Sequence, residues 1–298
     1  MNTVNLVHEP KIAPGKNQVT GITESTILRG DAERLLARLP SGFFRCCVTS
    51  PPYWGLRDYR TDDQIGAEDS PDDYVDRLVA VFDQVRRVLT EDGTLWLNIG
   101  DSYTSGNRGY RAPDKKNPVR AMSYRAKTPE GLKPKDLIGI PWQLAFALQE
   151  AGWYLRTDII WEKPNCMPES VKDRPTRSHE TIFLLSKSPK YYYDHVSARE
   201  SNGRNRRTVW SIPTEPFPGA HFATFPCALV EPCIMAGSKA GDWVLDPFFG
   251  SGTVGVVCEQ QRRNYVGIEL NPEYVELARE RIRNTDRLLF PYDMECTG

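Results

Sequence analysis

Asp246-Pro247-Phe248-Phe249-Gly250-Ser251-Gly252-Thr253 decides how this 298-residue chain folds. Trp243-Val244-Leu245 before it reads as a strand. Gly250-Ser251-Gly252-Thr253-Val254-Gly255 matches G-x-G-x-x-G and opens a helix running through Val257 to Gln261. Tyr265–Ile268 reads as the next strand and ends at Glu269, 19 residues after Gly250. A ribose-binding acid stands roughly 20 residues after such a fingerprint, at the end of the second strand. Strand, glycine loop, helix, strand and acid in register point to a nucleoside cofactor. The fingerprint ordinarily suggests NAD, but only 48 residues follow Gly250, too few for a second mononucleotide half. The remaining strands must come from earlier in the chain, so the cofactor strands are last in sequence and central in space. Asp-Pro-Phe at the head of the loop sets an acid and an aromatic beside the cofactor, not a pyrophosphate-binding helix end. Those groups suit S-adenosylmethionine, which carries an ammonium and a sulfonium charge.

The second informative stretch, Ser50-Pro51-Pro52-Tyr53, follows the short apolar run Cys46-Cys47-Val48-Thr49. Taken alone it fits a Pro-rich surface loop equally well. Beside a cofactor loop it suits a different task. Two prolines stiffen the turn, and Pro51 offers a carbonyl without a competing N–H. A hydroxyl and a carbonyl can then grip a ring amino group while the Tyr53 ring covers the ring's face.

The rest of the chain supplies alternating elements. Thr26-Ile27-Leu28 reads as a strand ending at Gly30-Asp31, and Ala32–Leu39 as a helix. Ser70-Pro71 starts a helix whose stripe runs from Tyr74 to Leu89, with Gly93 ending that region. Thr94–Ile99, Tyr154–Trp161 and Glu180–Ser186 read as strands, and Pro141 opens a helix closed near Gly152. The helix from Pro226 to Met235 contains Pro232, which is expected to kink or end it. Strand and helix in alternation predict a doubly wound α/β sheet. Residues 1–23 read as an N-terminal arm, and 24–298 as one domain.

Two segments interrupt that alternation. Residues 102–136 hold nine Lys/Arg against three acids, with Tyr103, Tyr110 and Tyr124 among them, and 187–210 holds four arginines between Arg199 and Arg207. A charge run is ordinarily a solvated loop, but long loops in compact domains are often functional. The net charge of −1 means that any nucleic-acid binding must come from such local patches. Seven cysteines without a CxxC pair read as reduced thiols of a cytoplasmic protein. Four scattered His give no metal site, and no apolar run reaches membrane-spanning length. The N-terminus lacks the apolar core of a signal peptide.

In this order Gly30-Asp31, Thr49–Gly55, His221–Pro226, Asp246–Thr253 and Glu269-Leu270-Asn271 resemble the circularly permuted (beta) group of DNA amino-methyltransferases, over roughly Thr26 to Arg283. The resemblance implies a Rossmann-like, mostly parallel S-adenosylmethionine-dependent methyltransferase fold with DNA-contacting inserts. It assigns catalysis to Ser50, Pro51, Pro52 and Tyr53. It assigns the cofactor to Asp246, Phe248, Gly250, Gly252 and Thr253 at the methionine end, Glu269 and Asn271 near the ribose, Asp31 at the adenine, and Phe225 and Pro226 closing the site. Asp31 also fits a plain helix N-cap. DNA contacts are expected from Trp54, from Arg108, Arg111, Lys115, Lys116 and Arg120, and from Arg204, Arg206 and Arg207. Of Trp54, Trp142, Trp153 and Trp161, all but Trp54 are expected in the core. The implied reaction is methyl transfer to the N4 amine of a flipped cytosine in double-stranded DNA, with adenine N6 as the alternative. A restriction endonuclease counterpart and a homodimer are partners the resemblance allows. An RNA or protein amine methyltransferase, and a non-catalytic DNA-binding protein on the same scaffold, are the rival readings.

Overall fold

A computed structural model describes residues 21–55, 64–104, 128–166, 168–200, 202–215 and 225–285. Among these residues eight strands form one sheet: β1 (Thr26–Arg29), β2 (Phe44–Thr49), β3 (Leu89–Ile99), β4 (Tyr154–Glu162), β5 (His179–Ser186), β6 (Val209–Ser211), β7 (Trp243–Asp246) and β8 (Asn264–Glu269). Their spatial order is β1-β8-β7-β2-β3-β5-β4-β6. All neighbours run parallel except β3/β5 and β4/β5, so β5 alone is reversed. The glycine-loop strand β7 sits between β8 and β2, as the shortage of chain after Gly250 requires.

The central strands are apolar throughout because both faces are covered. Cys47, Leu95 and Leu245 point into one core with helices α1 (Ala32–Leu36), α2 (Pro71–Val88) and α3 (Ile140–Glu150). Their neighbours Cys46, Trp96 and Val244 point into the other, with α4 (Cys227–Gly237), α5 (Thr253–Gln260) and α6 (Pro272–Arg283). α2 starts as its sequence predicts: the Ser70 hydroxyl accepts from the Asp73 N–H, and Pro71 occupies the first turn. No helix among the described residues is long and apolar enough to cross a membrane.

Several local expectations need correcting. α1 stops at Leu36, so Leu39 is buried from the turn that follows. α2 ends at Val88, and Gly93 lies inside β3, where the pairing register with β2 shifts. α4 passes through Pro232 to Gly237: a proline in its second turn forfeits one hydrogen bond, which the burial of Leu229, Val230, Cys233 and Ile234 outweighs. Trp142 is 43% exposed rather than in the core. Segment 187–210 is partly built into the body, since it supplies β6 and the buried Ala198 and Trp210. Of the expected N-terminal arm, residues 1–20 lie outside the described residues.

The glycine loop is held from beneath by close packing. Phe249 stacks on Tyr265 at 5.7 Å, and a Cβ on Gly267 would stand 2.3 Å from the Phe249 ring. Gly267→Ala should therefore cost about 1–3 kcal/mol by overpacking. Urea unfolding should show a lower midpoint at unchanged slope, and Phe249→Leu in the same chain should recover part of the loss.

Candidate active site

Parallel strands end at one edge of the sheet, and the loops leaving β1, β2, β7 and β8 converge there. The loops after β2 and β7 are joined at their base. Thr49, last in β2, donates from Oγ1 to Asp246 Oδ1 at 2.7 Å, and the Phe248 N–H donates to the same oxygen at 3.0 Å. Above this link lies a cavity of about 200 Å³. Its wall includes Ser50, Pro51, Pro52 and Tyr53 from one loop and Phe248, Gly250 and Thr253 from the other. Two sequences almost 200 residues apart thus face one space.

One side of the cavity is built from carboxylates and backbone N–H groups. Glu269 accepts from Gly250 N–H through Oε2 and from Asn271 N–H through Oε1, both at 2.7 Å. Burial pushes the Glu269 carboxyl up, against those backbone bonds. Burial also pushes Asp246 up to about 7, despite the Thr49 and Phe248 bonds, and the nearby Glu269 charge adds to the rise. Among the described residues no cation offsets these two acids. Gly252, at φ +80°, caps α5 and lies so close to α6 that a Cβ would meet that of Ala278 at 2.8 Å. Arg281 donates to Ser251 Oγ at 3.0 Å and Thr253 Oγ1 at 2.8 Å, which fixes the loop from outside. Two acids, a glycine turn open at Gly250 and the half-buried Phe248 are a set of acceptors, space and ring face that fits a cationic nucleoside.

The other side is a polar cluster around Tyr53. The Tyr53 hydroxyl donates to Glu180 Oε2 at 2.7 Å. Asn98 Nδ2 donates to Glu180 Oε2 and to Tyr53 Oη, each at 3.0 Å. Ser50 Oγ stands 3.4 Å from both Tyr53 Oη and Asn98 Nδ2. Lys163 pairs with Glu180 Oε1, and its ammonium lies 4.2 Å from the Trp161 ring centroid. Burial alone would raise the Glu180 carboxyl. The Lys163 charge and the bonds from Lys163, Tyr53 and Asn98 outweigh it and hold the group below its ordinary value. The Tyr53 ring fits because residue 100 is glycine: a Cβ there would meet Cε2 of Tyr53 at 2.6 Å. Tyr74 Oη donates to the Pro52 carbonyl at 2.7 Å and so fixes the loop's second proline from α2.

The expected residues separate into three groups. Ser50, Pro51, Pro52, Tyr53, Asp31, Phe225, Phe248, Gly250, Thr253, Glu269 and Asn271 line the cavity. Asp31 is at the same time the N-cap of α1, and Asn271 that of α6. Asp246, Gly252 and Pro226 stand behind the lining: Asp246 is 1% exposed, and Pro226 is the N-cap residue of α4. Trp54 is a core residue instead of a stacking surface, 5% exposed with its indole N–H donating to the Glu68 carbonyl. Arg204 and Arg207 are exposed, whereas Arg206 donates to the Ala198 carbonyl and lies against the Trp210 ring. Arg108, Arg111, Lys115, Lys116, Arg120 and His221–Thr224 lie outside the described residues.

Asn98, Lys163, Glu180 and Trp161 escaped the sequence reading as site residues. Their signal is positional. Asn98 is a polar residue inside the apolar run Leu95–Ile99, Lys163 follows the last residue of β4, and Glu180 lies at the start of the reversed strand.

Comparison with known proteins agrees with this geometry. A family model described as "DNA methylase", N6_N4_Mtase, matches residues 44–280. The type II methyltransferase M.Cfr9I of Citrobacter freundii is 69% identical over 266 residues, covering 88% of this chain and 89% of that protein. M.SmaI of Serratia marcescens is 65% identical over 262 residues, covering 86% and 90%. Among solved structures, the PvuII cytosine-N4-specific DNA methyltransferase superposes with a TM-score of 0.68 at 22% identity, over 91% of this chain and 90% of that one. A Thermus thermophilus DNA modification methylase, TTHA0409, described as putative and complexed with S-adenosyl-L-methionine, superposes with a TM-score of 0.64 at 26% identity, over 88% and 95%. On a Rossmann-like methyltransferase fold, this chain belongs to the N6/N4 DNA methylase family and is a DNA methyltransferase.

Proposed function

We propose that the enzyme transfers a methyl group from S-adenosylmethionine to the exocyclic N4 amine of a cytosine flipped out of double-stranded DNA. Adenine N6 is the second reading. The observation that carries the proposal is the single cavity shared by Ser50–Tyr53 and by Gly250 and Glu269. The order of the two loops along the chain supports the permuted beta group. Cytosine is favoured by Ser at position 50, because similar permuted enzymes with Ser there mostly act on cytosine N4.

Bound S-adenosylmethionine supplies a methyl group on a positively charged sulfur. Glu269 would accept from the ribose hydroxyls and Asp31 from the adenine amine, and Asp246, from behind the lining, would attract the ammonium through its charge. The target amine is a poor nucleophile because its lone pair is delocalised into the ring. Ser50 Oγ and the Pro51 carbonyl would accept its two N–H bonds and draw the nitrogen toward a tetrahedral shape. Tyr53 would cover the extruded ring and offset part of the few kcal/mol that unstacking costs. The nitrogen's lone pair forms the new N–C bond, the sulfur keeps the electron pair of the broken S–C bond, and one amine proton leaves to water. Alignment at about 3–3.5 Å supplies most of the rate.

DNA is expected to run over the exposed Arg204 and Arg207 and the basic segment 102–136. A restriction endonuclease counterpart is in keeping with the type II names of the relatives, and a homodimer is the other partner the family resemblance allows.

Treated DNA digested to nucleosides should contain N4-methylcytosine by mass. N6-methyladenine as the sole product would overturn the cytosine assignment and leave the fold standing. Ser50→Ala should cut turnover while calorimetry shows unchanged cofactor affinity.

The raised Asp246 carboxyl has a pH signature. Its folded value, about 7 against an ordinary 3.8, means that its contribution to the stability of cofactor-free protein is fully present below about pH 4 and lost as pH rises through 7. A positive charge in the cavity in front of it favours the ionised form, so cofactor binding should release protons near pH 7 and weaken as pH falls. Calorimetry in buffers of different ionisation enthalpy should detect the release in wild type and not in Asp246→Asn.

For DNA, neutralising Lys115, Lys116 and Arg120 together should weaken binding to every sequence. Each lost phosphate contact should reduce the log–log salt slope by about 0.9. An unchanged slope with unchanged affinity would remove the segment from the DNA interface.

A further inference from the structure

The polar cluster beside Tyr53 is more elaborate than holding one amine requires. Ser50 Oγ and the Pro51 carbonyl already provide two acceptors for the amine's two N–H bonds. Beyond them the cavity wall carries Lys163, an ammonium seated between the Glu180 carboxylate and the Trp161 ring face. Its side chain is 17% exposed, so little water reaches the charge. An ammonium has three N–H donors, and Glu180 accepts one of them. Asn98 shows the same incompleteness. It is 6% exposed, its Nδ2 donates within the cluster, and its Oδ1 is buried with no hydrogen-bond partner. Turning the amide over would set its oxygen against Glu180 Oε2, so the orphan acceptor belongs to the arrangement. Of the two, the spare Lys163 donors are on the cavity wall and can read an acceptor on a ring, while Asn98 Oδ1 lies buried behind it.

The chemistry of the two candidate bases decides what is read. Along its Watson–Crick edge cytosine presents an amine donor, a ring-nitrogen acceptor and, at the far end, the O2 carbonyl acceptor. Adenine presents an amine donor and a ring-nitrogen acceptor, then a C–H. With the amine held at Ser50 and Pro51, the far end of the edge is where the bases differ. Lys163 is one carboxylate removed from the Tyr53 hydroxyl, which itself stands 3.4 Å from Ser50 Oγ. We infer that Lys163 is a specificity-determining residue, donating a charge-assisted hydrogen bond to the O2 carbonyl of the flipped cytosine, with Glu180 and Trp161 positioning its ammonium. This inference rests on the cytosine reading and deepens it. Adenine in the same pose would set the ammonium against a C–H, and the bond would be lost. A buried site built to hydrogen-bond a group discriminates strongly against the analogue that lacks it.

The test uses the full-length enzyme with S-adenosylmethionine and duplexes carrying the mapped methylation site. In one duplex the target is cytosine. In the other it is the 2-aminopyridine C-nucleoside, which keeps the amine and the ring nitrogen but has C–H in place of O2. Wild type should turn over the analogue on the order of 10- to 100-fold more slowly, the loss expected for one hydrogen bond to a charged group. Lys163→Met combined with Glu180→Gln, which leaves no unpaired buried carboxylate, should be slow on both duplexes and no longer distinguish them. A cytosine-to-analogue ratio in the double variant equal to that of wild type would overturn the inference, whatever its absolute rate. Equal rates for the two duplexes in wild type would overturn it as well, even if the variant fails to fold. The two readings fail separately. N4-methylcytosine as product with equal rates on the two duplexes removes the role of Lys163 alone, whereas N6-methyladenine as product removes the reading beneath it.

Discussion

The active site depends on one buried hydrogen bond, from the Thr49 hydroxyl to Asp246. β2 and β7 are parallel neighbours paired at Cys46↔Val244 and Cys47↔Leu245. Each strand ends shortly after that pairing, one in Thr49 and the other in Asp246. The bond ties the two ends together just before the chain turns into Ser50-Pro51-Pro52-Tyr53 on one side and Pro247-Phe248-Phe249-Gly250 on the other. The same bond partly compensates a buried carboxylate, which without donors would lie higher still. Structure and electrostatics of the site therefore meet in one side-chain pair.

The two sides of the cavity treat buried charge differently. Asp246 and Glu269 are acids given neutral donors and, among the described residues, no cation, and both titrate above their ordinary range. Glu180 is given a cation and two further donors, and it stays ionised. Burying an ion pair carries a desolvation cost that its attraction often fails to exceed, so Lys163–Glu180 is a weak argument for stability. It is a better argument for order. A carboxylate accepting from three side chains at once fixes Tyr53, Asn98 and Lys163 relative to one another. The first acids wait for a charge that arrives with a ligand, while in the second group the carboxylate already has its cation.

Sequence made the cofactor half legible because its chemistry is local. A strand, a glycine turn, a helix and an acid must follow at fixed spacing, and Gly250 through Glu269 show it directly. The sheet order followed from counting the residues left after Gly250. Trp54 was misjudged because adjacency to a functional loop says nothing of side-chain direction, and its indole turns inward to the Glu68 carbonyl. Gly93 was misjudged because a glycine near a helix end imitates a stop signal, although here it serves a register shift inside β3. Pro232 shows the limit of a local rule against tertiary burial. The cluster around Glu180 stayed hidden for a different reason. Its members come from β3, the residue after β4, and β5, so no motif contains them.

What assembles that cluster is the single reversed strand. In the parallel part of the sheet, functional residues stand at the carboxyl ends of strands. β5 runs the other way, so its first residues reach the same edge, and Glu180 arrives beside Asn98 from the opposite end of its strand. The pairing Trp161↔Glu180 then places Lys163 two residues beyond, where β4 leaves the sheet. Alternation does the rest. Trp96, Ile159, Ile182 and Leu184 belong to the core beneath α4–α6, and Asn98, Trp161 and Glu180 continue those rows to the sheet's edge. The apolar rows thus end in a donor, a ring and a carboxylate at the point where the core opens to the cavity. A parallel strand in the place of β5 would have brought Ser186, not Glu180, to this edge. The reversal is therefore a condition for the polar wall, and the wall distinguishes this site from a cofactor pocket alone.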